Sequence, residues 1–336
     1  MGVKVSVIVN VHNPGDTADA CIRSTLEQTM PADDYEVIFV DDGSTDGIGE
    51  RLDTIAAFRG NVRTLHLPHT GSPMRGRNVG LAAATGDYVY FLDPGDRLEK
   101  DALVRMHDRA METDADVLIG RMIRDYGPPM IAFERSTARA DILRDRLLTL
   151  LHPQQLYRRA FLEEHELGFG VPGGRMAEQA FVMRAYLHAK VIAVLAEHVC
   201  CHLGDRSRAE EEPRAIVKDL LRLLDDIDTF VGAGRQRERM YAYWFRYAVL
   251  RPLLTSKFAD SSVDRACTSG SSRSSWSGAS PSRSTVTCPY SSARWPRSSA
   301  WDAWTRSCSW PTPPGAPGSA PTSPRCAGTP TSWCST

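Results

Sequence analysis

The first 125 residues alternate between short apolar segments rich in β-branched residues and longer segments with helical spacing. This alternation predicts an α/β fold with a mostly parallel sheet flanked by helices, because parallel strands need a crossover connection between them. The apolar segments that we predict as strands are residues 3–11, 35–40, 62–67, 88–92 and 117–122. The segments that we predict as helices are residues 16–29, 46–58, 77–84 and 98–113. Residues 141–200 have helical spacing with a break at 171–174, and a long helix is predicted at 210–230.

The overall composition argues against several classes of protein. A formal net charge of −1 gives no bulk attraction to nucleic acid. The chain has no apolar run of about 18 residues and no export signal at its start, so we expect a cytoplasmic protein without a transmembrane helix. The eight cysteines show no CxxC spacing, which argues against structural zinc. The turn at residues 13–16 lacks the GxGxxG of a nicotinamide-dependent Rossmann enzyme.

The composition changes abruptly at Ser261. The last 76 residues contain no Leu, Ile, Phe, Met, Lys, Glu, Gln, Asn or His, and they hold six of the seven tryptophans. Aliphatic side chains are too few there to bury a core, so we expect either a disordered tail or an out-of-frame translation. The predicted regions are a folded domain at 1–205, a helical extension at 206–260 and this tail at 261–336. Within the extension, residues 241–258 fit either a packing helix or a surface that touches a membrane.

Two acidic clusters come directly after predicted strands. Asp41-Asp42-Gly43-Ser44 follows the second strand, and Asp93-Pro94-Gly95-Asp96 follows the fourth. Ligands of open α/β sheets bind beyond the carboxyl ends of the strands, so we expect both clusters to face one crevice. A carboxylate in the first cluster can accept a hydrogen bond from a base imide or a ribose hydroxyl. Ser44 can cap the helix that follows. An ordinary strand-to-helix turn, whose aspartates cap the helix and face solvent, fits the same residues.

Further polar groups follow the same pattern. Val9-Asn10-Val11-His12-Asn13 ends the first predicted strand and offers backbone and small polar groups to a base, although an ordinary turn looks the same. In Gly76-Arg77-Asn78-Val79-Gly80-Leu81, a guanidinium and an amide at a helix start suit a phosphate or a nucleobase edge. Asp93, at the end of a very apolar strand, suits a divalent cation that bridges two phosphates. Hard oxygen ligands favour Mg²⁺ or Mn²⁺.

The segments VDDGSTDG, RNVGL and GDYVYFLD, in this order and spacing, resemble glycosyltransferase family 2. The resemblance is strong over residues 3–125 and looser to about residue 200. It implies a Rossmann-like GT-A fold, a nucleotide-diphospho-sugar donor such as a UDP-sugar, a hydroxyl acceptor and inversion at the anomeric carbon, usually with a divalent metal. The segment LYRRAFLE at 156–163 is similar to a subgroup that glycosylates wall polyols or capsular polymers.

The resemblance also implies roles for individual residues. The resemblance implies that Asp41, Asp42, Arg77, Asn78 and Asp93 contact the nucleotide-sugar. To these the end of the first predicted strand adds Val9, Asn10 and His12 as candidate contacts. The implied metal ligands are Asp93 and Asp96, with His202 as either a late metal or phosphate contact or an ordinary polar residue. The chain departs from the family at Asn10, where proline is common, and at Gly95, which replaces the second carboxylate of the DxD motif.

The catalytic base of such an inverting enzyme is an Asp or Glu that deprotonates the acceptor hydroxyl. The family places it in a Glu-Asp pair, three residues before an aromatic residue. Alignment on Phe181 makes Glu178 the base and Ala177 the replacement of the preceding Glu, whereas alignment on the pair puts Gln179 at the base position. The FVMRAY segment favours the first alignment, so we predict Glu178, although it also fits an acidic residue that merely stabilises a helix start.

Two interpretations of the whole chain follow. In the first, the chain is an inverting glycosyltransferase whose partners are a nucleotide-sugar donor and a hydroxyl acceptor, without nucleic acid. Peripheral contact with the inner membrane face through residues 241–257 is part of this expectation. In the second, the chain is a catalytically impaired nucleotide-sugar-binding protein, an alternative that Gly95 and Ala177 support.

Overall fold

A single sheet of eight strands forms the framework of the computed structural model, which describes residues 2–69, 71–124, 130–170, 176–204 and 213–250. Within these described residues, the strands are β1 (Val5–Val11), β2 (Tyr35–Asp42), β3 (Val62–Leu67), β4 (Tyr88–Leu92), β5 (Arg97–Leu98), β6 (Val117–Arg124), β7 (Leu156–Arg158) and β8 (Ile192–Leu203). Their order across the sheet is β3-β2-β1-β4-β7-β6-β8-β5. The tail predicted at 261–336 and the break predicted at 171–174 lie outside the described residues.

Helices connect the strands and cover the sheet. They are α1 (Ala18–Leu26), α2 (Ile48–Phe58), α3 (Pro73–Ala83), α4 (Ala102–Thr113), α5 (Arg159–Glu164), α6 (Ala177–His188), α7 (Pro213–Phe230) and α8 (Arg235–Trp244). Short 3₁₀ turns lie at Gly15–Thr17, Ala32–Asp34, Ile131–Phe133 and Leu147–Leu150, and a π-helical segment at Phe245–Leu250 follows α8. None of the helices in the described part of the chain has both the length and the apolarity needed to cross a bilayer.

The first four strands confirm the predicted parallel arrangement. β1 pairs in parallel with β2 and with β4, and β2 pairs in parallel with β3. The other half of the sheet is mixed, because β7 runs antiparallel to both β4 and β6, and β5 runs antiparallel to β8. β6 and β8 are parallel. The fold is therefore α/β with a mixed sheet flanked by helices.

The helical prediction for residues 141–200 was wrong in part. α5, α6 and the turn at Leu147–Leu150 are helical, but Leu156–Arg158 forms β7 and Ile192–Leu203 forms β8. The run Val191-Ile192-Ala193-Val194-Leu195 is buried in the structure. A short, continuously apolar run has the same periodicity in a buried strand as in a buried helix, and β-branched residues here decide for the strand.

Close packing places α3 at the sheet. Gly80 faces β1 so tightly that a Cβ atom at this position would lie 2.4 Å from Cγ2 of Ile8. The absence of a side chain at Gly80 lets the helix axis approach the strands. The N-terminal part of α3 therefore lies against the carboxyl edge of β1, which is where its polar residues reach the neighbouring strands.

The C-terminal helices pack on the domain. Trp244 of α8 is fully buried, and the hydroxyl of Tyr243 donates a hydrogen bond of 2.6 Å to the carbonyl oxygen of Leu148. His188 of α6 meets the ring of Phe230 of α7 at 4.3 Å between ring centroids. The packing interpretation of residues 241–258 therefore holds for its described part. Residues 251–258 lie outside the described residues, and contact with a membrane stays a prediction.

Candidate active site

The carboxyl ends of the parallel strands bring the predicted site residues to one edge of the sheet. Val11 of β1 lies opposite Asp41 of β2, and Asp41 lies opposite His66 of β3. Leu92, the last residue of β4, is followed directly by Asp93. The two acidic clusters therefore lie at the same edge of the sheet, while a shared crevice stays a prediction.

Arg77 is the centre of a group that we call the arginine cluster (Arg77, Asp93 and Glu178). Its Nη2 donates a hydrogen bond of 2.6 Å to Oδ1 of Asp93, and its Nη1 donates one of 2.8 Å to Oε1 of Glu178. The guanidinium belongs to α3, Asp93 to the turn after β4, and Glu178 to the first turn of α6. The structure therefore joins the predicted donor-binding residues to the predicted base.

Burial and charge act in opposite directions on Arg77. Its side chain is 5% exposed, whereas those of Asp93 and Glu178 are 19% and 20% exposed. Burial disfavours the charged guanidinium, but the Asp93 and Glu178 carboxylates outweigh burial and hold the pKa of Arg77 above its ordinary value. With both carboxylates ionised, the three side chains together carry one net negative charge.

The Asn78 side chain binds the backbone of the loop that carries Phe169. Its Nδ2 donates a hydrogen bond of 2.8 Å to the carbonyl oxygen of Phe169, and its Oδ1 accepts one of 2.8 Å from the Phe169 backbone N–H. The Phe169 ring lies 5.3 Å from the Arg77 guanidinium and stacks on Phe181 at 4.1 Å. The described contacts of Asn78 thus hold the aromatic wall of the arginine cluster, and its role as a contact to the base or diphosphate stays a prediction.

Gln154 is a site residue that the sequence analysis missed. It is 1% exposed, and its Nε2 donates hydrogen bonds of 3.0 Å to Oδ2 of Asp93 and 2.9 Å to Oδ2 of Asp96. The Gln154 amide therefore bridges the carboxylates of Asp93 and Asp96. Gln154 lies in the connection just before β7, and no spacing of polar residues around it indicated a role. The nearby LYRRAFLE segment was its only signal.

Asp96 lies deeper than Asp93. It is 1% exposed, and its Oδ1 accepts a hydrogen bond of 2.9 Å from the backbone N–H of Gly204. The other oxygen accepts from Gln154, so both oxygens already bind protein donors. Gly95 beside it is open, since a Cβ atom there would meet nothing within 4 Å. Asp93 is therefore the more accessible of the two predicted metal ligands.

His202 lies on β8 beside β5. Its Nδ1 accepts a hydrogen bond of 2.8 Å from Nη2 of Arg97, so the proton is on Nε2, which donates to Oε1 of Glu99. These contacts account for the polar atoms of the ring. A role for His202 as a metal or phosphate contact stays a prediction.

Asp41 and Asp42 are the last two residues of β2, so their side chains leave opposite faces of the strand. Oδ1 of Asp41 accepts a hydrogen bond of 2.9 Å from the Ser44 N–H, and Oδ2 lies 3.2 Å from Nδ1 of His66. Burial alone would raise the pKa of Asp41, but the Ser44 and His66 contacts outweigh burial and lower it. The prediction that Ser44 caps α2 was wrong, because the N-cap of that helix is Gly47.

The end of β1 has a buried and a half-buried part. The Val9 side chain is fully buried in the sheet, so only its backbone could reach a ligand. Asn10 packs against α3, where a Cβ atom on Gly76 would lie 1.6 Å from Asn10 Oδ1. Gly76, just before the RNVGL segment, therefore makes room for the Asn10 amide that stands where the family often has proline.

A second group, the histidine cluster (His12, Asp42 and His69), lies beyond the ends of β1, β2 and β3. Among the described residues, it is the one set of three or more metal-ligating side chains whose ligand atoms lie within 4.8 Å of one another. His12 and Asp42 were predicted as nucleotide contacts, whereas His69 was not predicted. The set does not include Asp93 or Asp96.

Comparison with known proteins agrees with this geometry. Residues 6–182 match the family described as Glycosyl transferase family 2. This match covers more than half of the 336 residues, and the chain belongs to glycosyl transferase family 2. Its mixed sheet flanked by helices is the GT-A fold, as the resemblance implied.

Two relatives share the N-terminal region. Poly(ribitol-phosphate) beta-glucosyltransferase of Bacillus spizizenii is 32% identical over 207 residues, which are 61% of this chain and 33% of the relative. Poly(ribitol-phosphate) beta-N-acetylglucosaminyltransferase TarP of Staphylococcus aureus is 30% identical over 200 residues, which are 58% of this chain and 61% of the relative. The chain thus spans less than two thirds of the length of either relative.

A solved structure supports the same assignment. The crystal structure of Staphylococcus aureus TarS 1–349 in complex with UDP-GlcNAc has a TM-score of 0.68 to this chain and 26% sequence identity. The similarity covers 73% of each chain. The shared fold therefore extends well beyond the segments that carry the family motifs.

Proposed function

We propose that this chain transfers a hexosyl or N-acetylhexosaminyl group from a UDP-sugar to a hydroxyl acceptor, with inversion at the anomeric carbon. The observation that carries the proposal is the arginine cluster, in which one buried guanidinium joins Asp93 to Glu178. The named activities of the two relatives and the UDP-GlcNAc complex of TarS support it. Because both relatives are named for poly(ribitol phosphate), we propose a polyol-phosphate wall polymer as the acceptor class.

Glu178 is the proposed general base. The acceptor hydroxyl would give its proton to the Glu178 carboxylate while the hydroxyl oxygen forms a bond to the anomeric carbon. The bond from that carbon to the diphosphate would break, and UDP would leave with the electron pair. Arg77 holds Oε1 of Glu178 at 2.8 Å, which fixes the orientation of the base. Fixed orientation matters because proton transfer requires the carboxylate within hydrogen-bond reach of the hydroxyl.

The nucleoside would lie at the ends of β1 and β2, where Asn10, His12, Asp41 and Asp42 are the proposed contacts. The carboxylate of Asp41 is held by Ser44 and His66, so its lowered pKa keeps it an acceptor for a base imide or a ribose hydroxyl. The sugar diphosphate would extend from this end toward Arg77. Both ends belong to the same edge of parallel strands.

The residues near Asp93 fit a hard divalent cation. Carboxylate oxygens are the ligands that Mg²⁺ and Mn²⁺ prefer, and Asp93 is 19% exposed. We propose Asp93 as the main ligand and Asp96 as the second. Asp96 would exchange a hydrogen bond from Gln154 or Gly204 for the ion. When bound, the ion would neutralise charge on the departing diphosphate.

A nucleotide-sugar-binding protein with little turnover is the second candidate function. The observation that favours it is Gly95, which leaves the DxD motif without its second carboxylate. Ala177 likewise leaves Glu178 without the usual acidic neighbour. Both candidates require nucleotide binding, so they differ only in the chemical step.

A transfer assay separates the two candidates. The purified chain would be incubated with UDP-GlcNAc or UDP-glucose, poly(ribitol phosphate) and Mn²⁺, and both UDP release and polymer glycosylation would be measured. Glu178→Gln should lower the rate by about 10²–10⁴-fold, because it removes the base. UDP binding by the variant, measured as a rise in melting temperature, should stay near that of the wild type.

Glu163→Gln is the matched control, since Glu163 pairs with Arg159 on the exposed surface of α5. This variant should keep wild-type activity. Equal trace activity in the wild type and in Glu178→Gln, with UDP binding intact, would favour the binding protein. Absence of any UDP-induced shift would contradict both candidates.

A further inference from the structure

The histidine cluster has an unusual arrangement of its two rings. His12 and His69 stack with ring centroids 3.9 Å apart and planes inclined by 15°. Nδ1 of His12 lies 2.9 Å and Nδ1 of His69 lies 3.0 Å from the carbonyl oxygen of Asp42. The same Nδ1 of His69 is 3.3 Å from Oδ2 of Asp42. Two imidazole nitrogens and one carboxylate therefore converge at the end of β2.

The backbone holds His69 over this point. Gly43 has φ of +67°, and a Cβ atom there would lie 2.7 Å from the backbone nitrogen of His69. A side chain at residue 43 would push the His69 segment away from β2. Only glycine combines this positive φ with so close a contact, so the chain turn at Gly43 is part of the cluster.

The loop that follows His12 is also tied to the end of β2. Oδ1 of Asn13 accepts a hydrogen bond of 2.7 Å from the Thr45 N–H, and the Asn13 N–H donates one of 3.1 Å to the Ser44 hydroxyl. Both histidines thus extend from segments fixed to the residues after Asp42. A bound ligand would find them close together without a large rearrangement of the chain.

We propose that His12, Asp42 and His69 form a binding site for a borderline-soft divalent transition metal of the Zn²⁺ or Co²⁺ class. Two imidazoles with one carboxylate are a ligand set typical of such ions, and the set leaves coordination positions for water or a ligand. It differs from the oxygen-only set at Asp93, which suits Mg²⁺ or Mn²⁺. The structure therefore separates two kinds of cation site along one sheet edge.

Metal binding would require only a small movement of the three ligand side chains. Metal–ligand bonds of about 2.0–2.1 Å at tetrahedral angles place ligand atoms about 3.4 Å apart. The three ligand atoms lie within 4.8 Å of one another, so the largest movement required is about 1.4 Å. The rings of His12 and His69 are exposed, and rotation of exposed side chains accommodates such a shift.

The protonation of the rings is compatible with the proposal. A carbonyl oxygen only accepts hydrogen bonds, so the contacts with Asp42 put the proton on Nδ1 of both rings. Coordination through Nδ1 moves that proton to Nε2 of the same neutral ring. The change of tautomer needs no net uptake or release of protons by the neutral form.

The site overlaps the nucleoside end of the donor site. This consequence rests on the proposed function, in which His12 and Asp42 contact the nucleoside. A transition metal and UDP should then exclude each other, whereas Mg²⁺ and Mn²⁺ at Asp93 should not compete. Zinc-class ions would inhibit transfer by occupying the nucleoside end, not by replacing the catalytic ion.

Cobalt titration tests the site directly. The full chain, prepared without a polyhistidine tag, would be titrated with Co²⁺ while the visible d–d absorption of a four- or five-coordinate ion is recorded. We expect saturable absorption that Zn²⁺ abolishes. His12→Ala and His69→Ala should each weaken Co²⁺ binding by more than about tenfold, because each removes a ligand. Circular dichroism would verify that both variants fold.

His198→Ala is the matched control, since His198 is an exposed histidine on β8, away from the cluster. It should bind Co²⁺ as the wild type does. No Co²⁺ absorption in the wild type, or equal binding by His12→Ala and the wild type, would overturn the site. Loss of UDP-induced stabilisation with Co²⁺ absorption intact would instead reject the proposed donor. UDP that binds but leaves the absorption unchanged would overturn the overlap.

Discussion

The two groups of polar side chains at the carboxyl edge of the sheet differ in how they are stabilised. In the arginine cluster, a guanidinium that is 5% exposed pairs with two carboxylates from other elements. In the histidine cluster, rings that water reaches stack on each other, and the His69 side chain is 48% exposed. The first group is preorganised by burial and charge, whereas the second is held by the loops that carry it.

This difference has a functional consequence. A buried charge that loses its partner is costly, so the arginine cluster can hold Asp93 and Glu178 in one geometry but tolerates little change. Contacts of exposed side chains contribute little free energy, so the rings of His12 and His69 can move at small cost. The histidine cluster can therefore adjust to a bound ligand. In the proposed function, the chemical step lies at the rigid end of the edge, which the arginine cluster forms. Ligand recognition lies at the adaptable end, which the histidine cluster and the neighbouring Asp41 and His66 form.

The largest expected effect is at the rigid end, from Arg77→Ala. The change leaves Asp93 and Glu178 without the cation between them, which should destabilise the fold by about 3–5 kcal/mol. The loss of stability should be near the lower end of this range, because the Asp93 and Glu178 side chains are about one-fifth exposed to water. Urea unfolding at neutral pH measures the change. Arg75→Ala on the same helix removes a half-buried arginine that donates a hydrogen bond to the carbonyl oxygen of Pro68, and it should cost about 0.5 kcal/mol or less. Equal urea midpoints for Arg77→Ala and Arg75→Ala would show that the paired, buried arginine stabilises the fold no more than the other.

A smaller effect is expected from Gln154→Leu. The substitution removes the amide that donates to Asp93 and Asp96, and it leaves the buried Asp96 oxygen without that donor. Losing a hydrogen bond to a charged group costs about 1.5–3 kcal/mol, so the urea midpoint should fall. Gln179→Leu is the control, because Oε1 of Gln179 is buried with no hydrogen-bond partner among the described residues. A Gln154 variant as stable as the Gln179 variant would show that the bridge does not support the site.

The rigid end was only partly predictable from the sequence. Asp93 and Arg77 were identified because a strand end and a helix start concentrate polar groups at one edge. The pairing of Arg77 with Glu178 could not be predicted, since it depends on how α6 packs 101 residues later in the chain. Gln154 was missed for the same reason. Its role comes from a tertiary contact, and its local sequence has no spacing that indicates a ligand.

The end of the sheet edge that carries Asp42 and His69 shows another limit of prediction from the sequence. The bounds of β3 and β4 match the predictions. β4 is a short, continuously apolar run rich in aromatic residues, and β3 combines apolar and β-branched residues with polar ones, and both patterns indicate strands. β2, however, extends two residues past the predicted end, so Asp41 and Asp42 belong to the strand rather than to a capping turn. Hydrophobicity could not show this, since both residues are charged. His69 was missed because it joins the cluster only through the close approach at Gly43.

Gly95→Asp tests whether the rigid end lacks only one metal ligand. A Cβ atom at Gly95 meets nothing within 4 Å, so the fold should accept the carboxylate with a stability change of about 0.5 kcal/mol or less. A second exposed carboxylate beside Asp93 should raise the affinity for Mn²⁺ about tenfold, or about 1.4 kcal/mol. Mn²⁺ binding would be followed by electron paramagnetic resonance. Gly170→Asp, another glycine with open space around it, should leave Mn²⁺ affinity unchanged. Unchanged affinity in Gly95→Asp would place the ion elsewhere.

The smallest expected effect concerns the pH dependence of the contact between buried Asp41 and half-exposed His66. A hydrogen bond with Asp53 contributes most to raising the pKa of His66, burial opposes this, and Asp41 adds to it. Because the folded pKa of His66 is raised, its stabilisation is fully present below the unfolded pKa, about 6.5. It is lost as pH rises through the folded value. Asp41 behaves oppositely, since its lowered pKa gives stability that is lost as pH falls through the folded value.

His66→Gln should therefore lower the urea midpoint near pH 6 and leave it almost unchanged near pH 8.5. The reason is that the charged ring attracts Asp41 and Asp53 only while it is protonated, and His66 is half-exposed, so water screens much of that attraction. His198→Gln, which replaces an exposed histidine on β8, should show the same small difference from the wild type at both pH values. If His66→Gln lowers the urea midpoint more at pH 8.5 than at pH 6, the protonated ring is not the form that stabilises the fold. The adaptable end would then be held by neutral contacts, as in the stacked rings of His12 and His69, rather than by charge.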